Sequence, residues 1–152
     1  MAEVSNQLLF VDSESQGFQA DYGRIYVISC KPYNKDAVSF VMEKRSDGSM
    51  GTDQRLVREA RDFMEKYAGW VTYYGKGHDI PLINTRLTRW GQRTIEPRPH
   101  VDLYFTLKHK LKTGRRSQAH LLEFLEDTMK ELGIEPQRKL TISPNVWADL
   151  SS

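Results

Sequence analysis

Asp12 and Glu14 stand two residues apart at the end of the apolar run Leu8-Leu9-Phe10-Val11. In extended chain, residues i and i+2 point to the same side, so the two carboxylates can converge on one point. Two anions side by side repel unless a cation joins them. An all-oxygen donor set suits hard divalent ions, magnesium or manganese first. A strand running out into a polar turn would carry the same residues, so the pair alone decides nothing. A third carboxylate, Asp79, follows the loop Gly75-Lys76-Gly77-His78 and precedes Pro81, a residue suited to the first turn of a helix. Three carboxylates in one crevice make a metal site, whereas Lys or Arg woven among them makes an ion-pair network. Lys76 is placed to be such a partner of Asp79.

Hydrophobic patterning shows which elements must position these groups. Leu8 to Val11 lacks polar alternation and reads as a strand buried on both faces. Gly17 and Asp21-Tyr22-Gly23 mark a turn, and Arg24 to Lys31, rich in β-branched and aromatic residues, is a second strand. Beyond the turn Pro32 to Asp36, Val38, Phe40 and Met42 alternate as a third. Two short connections predict an antiparallel meander. Leu56, Val57, Ala60, Phe63, Met64 and Tyr67 then fall at helical spacing. They predict a helix from about Asp53 to Tyr67, with Thr52 as its cap and Asp53 at its positive end.

Gly69 to Tyr74 is a fourth strand, reached through a helix and so parallel to the first. A helix lined by Leu82, Ile83, Leu87 and Trp90 ends at Gly91. His100-Val101-Asp102 is a short fifth strand, and Leu103, Leu107 and Leu111 mark another helix. Ser117 caps a last helix, running through Leu132 and stopped by Gly133, while the tail from Ile134 has no usable period. The total is a mixed α/β sheet with helices on its faces. Ligands of such sheets gather beyond the carboxyl ends of the parallel strands, where Asp12, Glu14 and Asp79 would meet.

A chain of 152 residues can build one domain with a real core, and 39% hydrophobic with 28% charged residues are globular values. No apolar run has the length of a membrane span and the N-terminus lacks a signal-peptide layout, so no membrane partner is expected. Cys30 is the only cysteine, which excludes an internal disulfide and points to a reducing, cytoplasmic setting. The net charge of +2 decides little, because charge acts by position. Lys108, His109, Lys110, Lys112, Arg115 and Arg116 crowd one helix end and its turn. The helix dipole and solvation favour cations there in any protein. Arg86, Arg89 and Arg93, on and after the helix that Asp79 opens, are better placed to reach a substrate backbone. Phe18 and Tyr22 could stack on a base or fill the core.

Three stretches, FVDSES, TYYGKGHDIPLINTR and HVDLYFTLKHKL with the basic turn and SQAHLLEFL after it, together carry a family likeness. In that order they resemble the ribonuclease H-like 3′–5′ exonucleases of the DEDD type, which include polymerase proofreading domains. The resemblance covers Gln7 to Leu132. It implies an α/β ribonuclease H-like sheet, a three-strand antiparallel meander plus two parallel strands, with helices on both faces. It implies metal-dependent hydrolysis of DNA or RNA phosphodiesters with two Mg²⁺ or Mn²⁺ ions. Asp12 would bridge both ions, Glu14 would hold the nucleophile-side ion and Asp79 the other. Asp102 matches a family aspartate that supports the site without ligating. Ser13, with Ser15, would set backbone N–H groups near a terminal nucleotide. Lys76, Arg86, Arg89, Arg115 and Arg116 would contact a single-stranded or 3′-ended nucleic acid.

Two departures accompany the likeness. His78 stands where the family has a bulky apolar residue. The family's fourth aspartate, preceded by a tyrosine or histidine, has no match in the tail, and Asp149 is a poor substitute. Residues 1–152 are therefore expected to be a single ribonuclease H-like exonuclease domain that is incomplete at the C-terminus or has lost that motif. Three carboxylates then predict one dominant ion site where the family has two. A catalytically weakened nucleic-acid-binding module on the same fold remains open, as does an unrelated α/β protein binding a metal or phosphate ligand.

Overall fold

The structure, a computed structural model, describes residues 7–136, so Asp149 and the rest of the tail lie outside the described residues. Five strands form: β1 (Leu8–Ser15), β2 (Ile25–Pro32), β3 (Val38–Val41), β4 (Gly69–Thr72) and β5 (His100–Asp102). They make one sheet in the order β3-β2-β1-β4-β5. The first three pair antiparallel as a meander, while β4 runs parallel to β1 and β5 parallel to β4. This is the α/β, ribonuclease H-like arrangement expected, with β1 between β2 and β4.

Helix α1 (Gln54–Met64) connects β3 to β4, and α2 (Asp79–Arg89) connects β4 to β5. Their apolar stripes, Leu56, Val57, Ala60 and Met64 on α1 and Leu82, Ile83 and Leu87 on α2, belong to one core with Leu9, Val11, Ile28 and Cys30 of the sheet. Each Leu, Ile, Val or Met among them, taken out of water, contributes about 1.5–3 kcal/mol. Burial pushes the Cys30 thiol up to about 12, so it behaves as a small apolar residue. Among the described residues, no helix is long and apolar enough to cross a membrane.

Four local expectations are corrected. β1 is buried on one face only: Leu9, Val11 and Ser13 point into the core, while Phe10, Asp12 and Glu14 alternate onto the exposed side. β1 also runs on through both carboxylates to Ser15, because β2 keeps pairing with it from Leu9↔Pro32 to Glu14↔Val27. α1 stops at Met64, and no side chain caps it, because the Asp53 carboxylate is engaged elsewhere. The expected last helix divides at Leu125 into α4 (Gln118–Phe124) and α5 (Glu126–Glu131). Only Leu121 of these two helices is buried, so little packing enforces one continuous rod. Ser117 does cap α4, accepting from the His120 amide at 3.3 Å.

Glu65, just past α1, ties down the loop before β5. Its carboxylate takes a bidentate bond from Arg93 at 2.6 and 2.7 Å and one from the Glu96 amide at 2.8 Å. The Arg93 bonds hold its carboxyl down from 4.5 to about 2. A carboxylate lowered on folding stabilises above its ordinary value and loses that effect as pH falls through the lowered one. Wild type should therefore lose about 1–2 kcal/mol more than Glu65→Gln between pH 5 and pH 2, discounted for the solvated Arg93. Urea midpoints measured across that range check it, and parallel pH curves would remove Glu65 from the account.

Candidate active site

The parallel pairing of β1 with β4 ends at Phe10↔Val71, whereas the antiparallel pairing with β2 continues past it. Asp12 therefore sits just beyond the carboxyl end of the parallel pair, beside the point where β4 leaves the sheet. That is the place where open α/β sheets hold ligands. Asp12 and Glu14 share the exposed side of β1 there, as their i, i+2 spacing requires.

Asp79 arrives from the other direction, as the first residue of α2, and is buried. Its carboxyl is raised above the ordinary carboxylate range, first by burial and further by the negative Asp12; a hydrogen bond from Ser13 and the neighbouring His78 oppose the shift. The Ser13 hydroxyl donates to Asp79 Oδ1. Ser13 lies on the core side of β1, opposite the side that presents Asp12 and Glu14. Among the described residues, no three His, Cys, Asp or Glu side chains are gathered so as to hold a metal ion. The expected gathering of all three acids is not seen; Asp79 is joined to β1 through Ser13, between the other two, and its carboxyl is raised by burial and by the charge of Asp12. Like charges separate, and Asp79 takes the nearest hydroxyl donor.

Asp102 sets the loop between β4 and α2. Buried at the end of β5, it accepts from the Tyr74 amide at 2.8 Å, the Lys76 amide at 2.9 Å and the Tyr104 amide at 3.1 Å. The last bond caps helix α3 (Leu103–Lys110). Thr72 Oγ1 accepts from the Gly75 amide at 3.1 Å, and a Cβ on Gly75 would fall 2.3 Å from that oxygen, so the tight loop needs glycine. Thr72 Oγ1 also pairs with His100 Nε2 at 2.7 Å, and burial lowers the His100 pKa, favouring the neutral ring. Asp102 thus holds by its backbone the segment that delivers Asp79.

The residues read as nucleic-acid contacts divide. Lys76, Arg89, Arg115 and Arg116 are exposed, with Arg89 stacked on Trp90 at 5.5 Å. Arg86 is not available: 3% exposed, it bonds Asp53 through Nε at 2.7 Å and through a terminal nitrogen at 2.9 Å, and also the Ala20 carbonyl. Asp53 further accepts from the Ile25 amide and from Trp90 Nε1. Burial alone would raise the Asp53 carboxyl, but these donors outweigh it and hold the group below its usual range. Arg93 is committed to Glu65. Ser13, expected to offer its backbone N–H, lies within β1 opposite Ile28 of β2, and its hydroxyl donates to Asp79. Phe18 and Tyr22 are 89% and 88% exposed, which removes them from the core, and Phe18 meets His78 edge-on at 5.9 Å.

Sequence reasoning missed Asp53, read as a helix-end charge, and the exposed Tyr74, whose φ of 63° is left-handed. The run Thr72-Tyr73-Tyr74-Gly75, aromatic residues directly before a glycine, was the available signal for the second.

The fold is that of a ribonuclease H-like chain. Residues 9–143 match the family model of the RNase_H superfamily, and the chain belongs to it. Solved structures with this fold include a family B DNA polymerase from the hyperthermophilic archaeon Pyrobaculum calidifontis. There the TM-score is 0.66 and the identity 18%, over 95% of this chain and 21% of that one. Brucella melitensis NrnC matches with a TM-score of 0.57 and 14% identity, over 98% of this chain and 67% of that one. NrnC has also been solved with bound Mg²⁺ and bound to pGG, matching here at 13% and 14% identity. This chain therefore spans about a fifth of the polymerase and about two thirds of NrnC. No curated protein sequence matches it.

Proposed function

We propose that this chain is a metal-dependent 3′–5′ exonuclease that hydrolyses phosphodiester bonds of single-stranded or 3′-ended nucleic acid, and that residues 1–152 belong to a single ribonuclease H-like domain. The observation that carries the reading is the buried Asp79 carboxyl, tied by a hydrogen bond to Ser13, the residue between Asp12 and Glu14, where β4 leaves β1. Burial and a like charge both oppose ionisation of Asp79, and a hard cation between the two acids would offset both. Asp12, Glu14 and Asp79 are the residues that would hold Mg²⁺ or Mn²⁺, all through oxygen, which fits those ions. When bound, such an ion polarises the phosphodiester and makes its water a nucleophile at neutral pH.

The chain's own groups do the rest. Asp12 and Glu14 offer carboxylates from the exposed side of β1, and Asp79, now bonded to the Ser13 hydroxyl, would be the third oxygen ligand for a cation held there. Asp102 keeps the loop of residues 74–76 in register with Asp79. Lys76, Arg89, Arg115 and Arg116 neutralise phosphates along the approach. Solved NrnC with Mg²⁺ and with pGG supports divalent-ion and nucleotide binding for this fold. The lack of a gathered three-acid group among the described residues favours a second reading, a module that binds nucleic acid without cutting it.

A 5′-labelled single strand incubated with Mg²⁺ or Mn²⁺ tests polarity and activity together. The expected product is a ladder shortening from the 3′ end, with a circular single strand left intact. Cutting of the circle, or immediate release of the 5′ label, would overturn the exonuclease assignment. Binding with no product would leave the module reading.

A further inference from the structure

Beside the loop that delivers Asp79 lies a pocket of about 410 Å³ lined by Tyr73, Tyr74, Tyr104, Arg115 and Arg116. It is a shallow recess, open to solvent. Tyr74 is 44% exposed although three features hold its ring in place. The ring meets Tyr104 edge-on at 4.8 Å, with the planes at 70°, and Phe105 at 5.9 Å. It also covers Gly77, where an added Cβ would fall 2.7 Å from the ring. The backbone is fixed as well: the Tyr74 amide is bonded to Asp102, and its carbonyl accepts from the amides of Gly77 and His78.

A bulky side chain at φ 63° is costly, of order 1–3 kcal/mol, and such strain clusters at binding and catalytic sites. The same recess is lined by two cations, Arg115 and Arg116. The Tyr73 hydroxyl donates to the Arg116 carbonyl and so joins the turn of residues 113–116 to the edge of β4. No carboxylate among the described residues pairs with the Arg115 or Arg116 guanidinium, and both side chains are exposed. A fixed, half-exposed aromatic ring sharing one recess with two exposed cations matches a planar base carrying a phosphate.

We propose that this pocket binds one unpaired nucleotide of a single strand, its base stacked on Tyr74, whose ring Tyr104 braces edge-on, and its phosphate held by Arg115 and Arg116. A base in a duplex has both faces stacked on its neighbours and cannot enter, so the pocket selects single-stranded substrate. The inference rests on the nuclease reading for its substrate class, and its test separates the two.

The probes are a fluorescein-labelled oligothymidylate of about ten nucleotides, within the usual site size, and the same strand carrying one 2-aminopurine. A blunt hairpin duplex serves as comparison, all in EDTA. Tyr74→Asn removes the ring and leaves a residue that tolerates the left-handed backbone. It should weaken single-strand binding about tenfold, abolish the 2-aminopurine quenching and leave duplex binding unchanged. Arg115→Gln with Arg116→Gln, both on the surface, should weaken binding and flatten its dependence on salt. Tyr104→Leu keeps apolar bulk under Tyr74 but removes its edge-on brace, and should weaken the quenching if Tyr74→Asn fails to fold.

Unchanged quenching and affinity in the variants that fold, or equal losses for strand and duplex, would overturn the pocket. If wild type cleaves in an Asp12-dependent way while the Tyr74 and Tyr104 variants bind normally, only the pocket fails. If quenching depends on Tyr74 but no cleavage occurs with metal, the pocket stands and the nuclease reading fails.

Discussion

Asp12→Asn is expected to lower metal-dependent cleavage by at least about hundredfold, since groups that merely support a metal ligand already cost ten- to hundredfold when changed. Asp12 is the carboxylate that the other two have in common: it shares the exposed side of β1 with Glu14, and its charge is felt by buried Asp79. Removing that charge also removes a repulsion, so the variant should be as stable as wild type or slightly more so. Lost activity with preserved stability separates a role in chemistry from a role in folding. Calorimetry adds a second readout. Three carboxylates cannot balance two divalent ions without the substrate phosphate, so Mn²⁺ should titrate to a single dominant site in wild type and to none in Asp12→Asn. Two tight sites, or brisk cleavage by the variant, would show that the acids are assigned wrongly.

Asp53→Ala carries the other large effect, on stability. Asp53 is 0% exposed and ties together the Arg86 side chain from α2, Trp90 beyond it and the Ile25 amide at the start of β2. Truncating it leaves the Arg86 guanidinium buried without a counter-charge, which costs about 3–5 kcal/mol. Against a total of roughly 5–15 kcal/mol, that approaches unfolding. Urea denaturation followed by tryptophan fluorescence measures it. Asp53→Leu combined with Arg86→Met, which removes both charges, should recover most of the loss. A single-variant loss under about 1 kcal/mol would contradict a buried, committed pair. The helix so anchored carries Asp79 at its first residue, so the same ion pair positions the candidate site from α2's far end.

Order and type of the elements were legible in the chain because they depend on near neighbours. A continuous apolar run made β1 a strand, β-branched and aromatic residues made β2 one, and alternation made β3 one; the helical spacing of Leu56 to Met64 made α1, and Pro81 and Gly91 marked the ends of α2. Short connections made the meander antiparallel, and a helical crossover made β4 parallel to β1. The pairing of Asp12 with Glu14 on one side follows from strand geometry alone.

Other features needed the tertiary structure, because they join residues far apart in the chain. Arg86 and Arg89 are one helical turn apart and read alike, yet Asp53, 33 residues before Arg86, buries the first and leaves the second exposed. Ser13 reads as a turn residue until Asp79, 66 positions on, accepts its hydroxyl. Tyr74 becomes a presented ring only because Asp102, from another strand, fixes its amide while Gly77 leaves room beneath it. Local periodicity specifies which face a side chain takes. Which partner meets it there is decided by packing, where burying a charge without its counter-ion costs more than any local preference supplies.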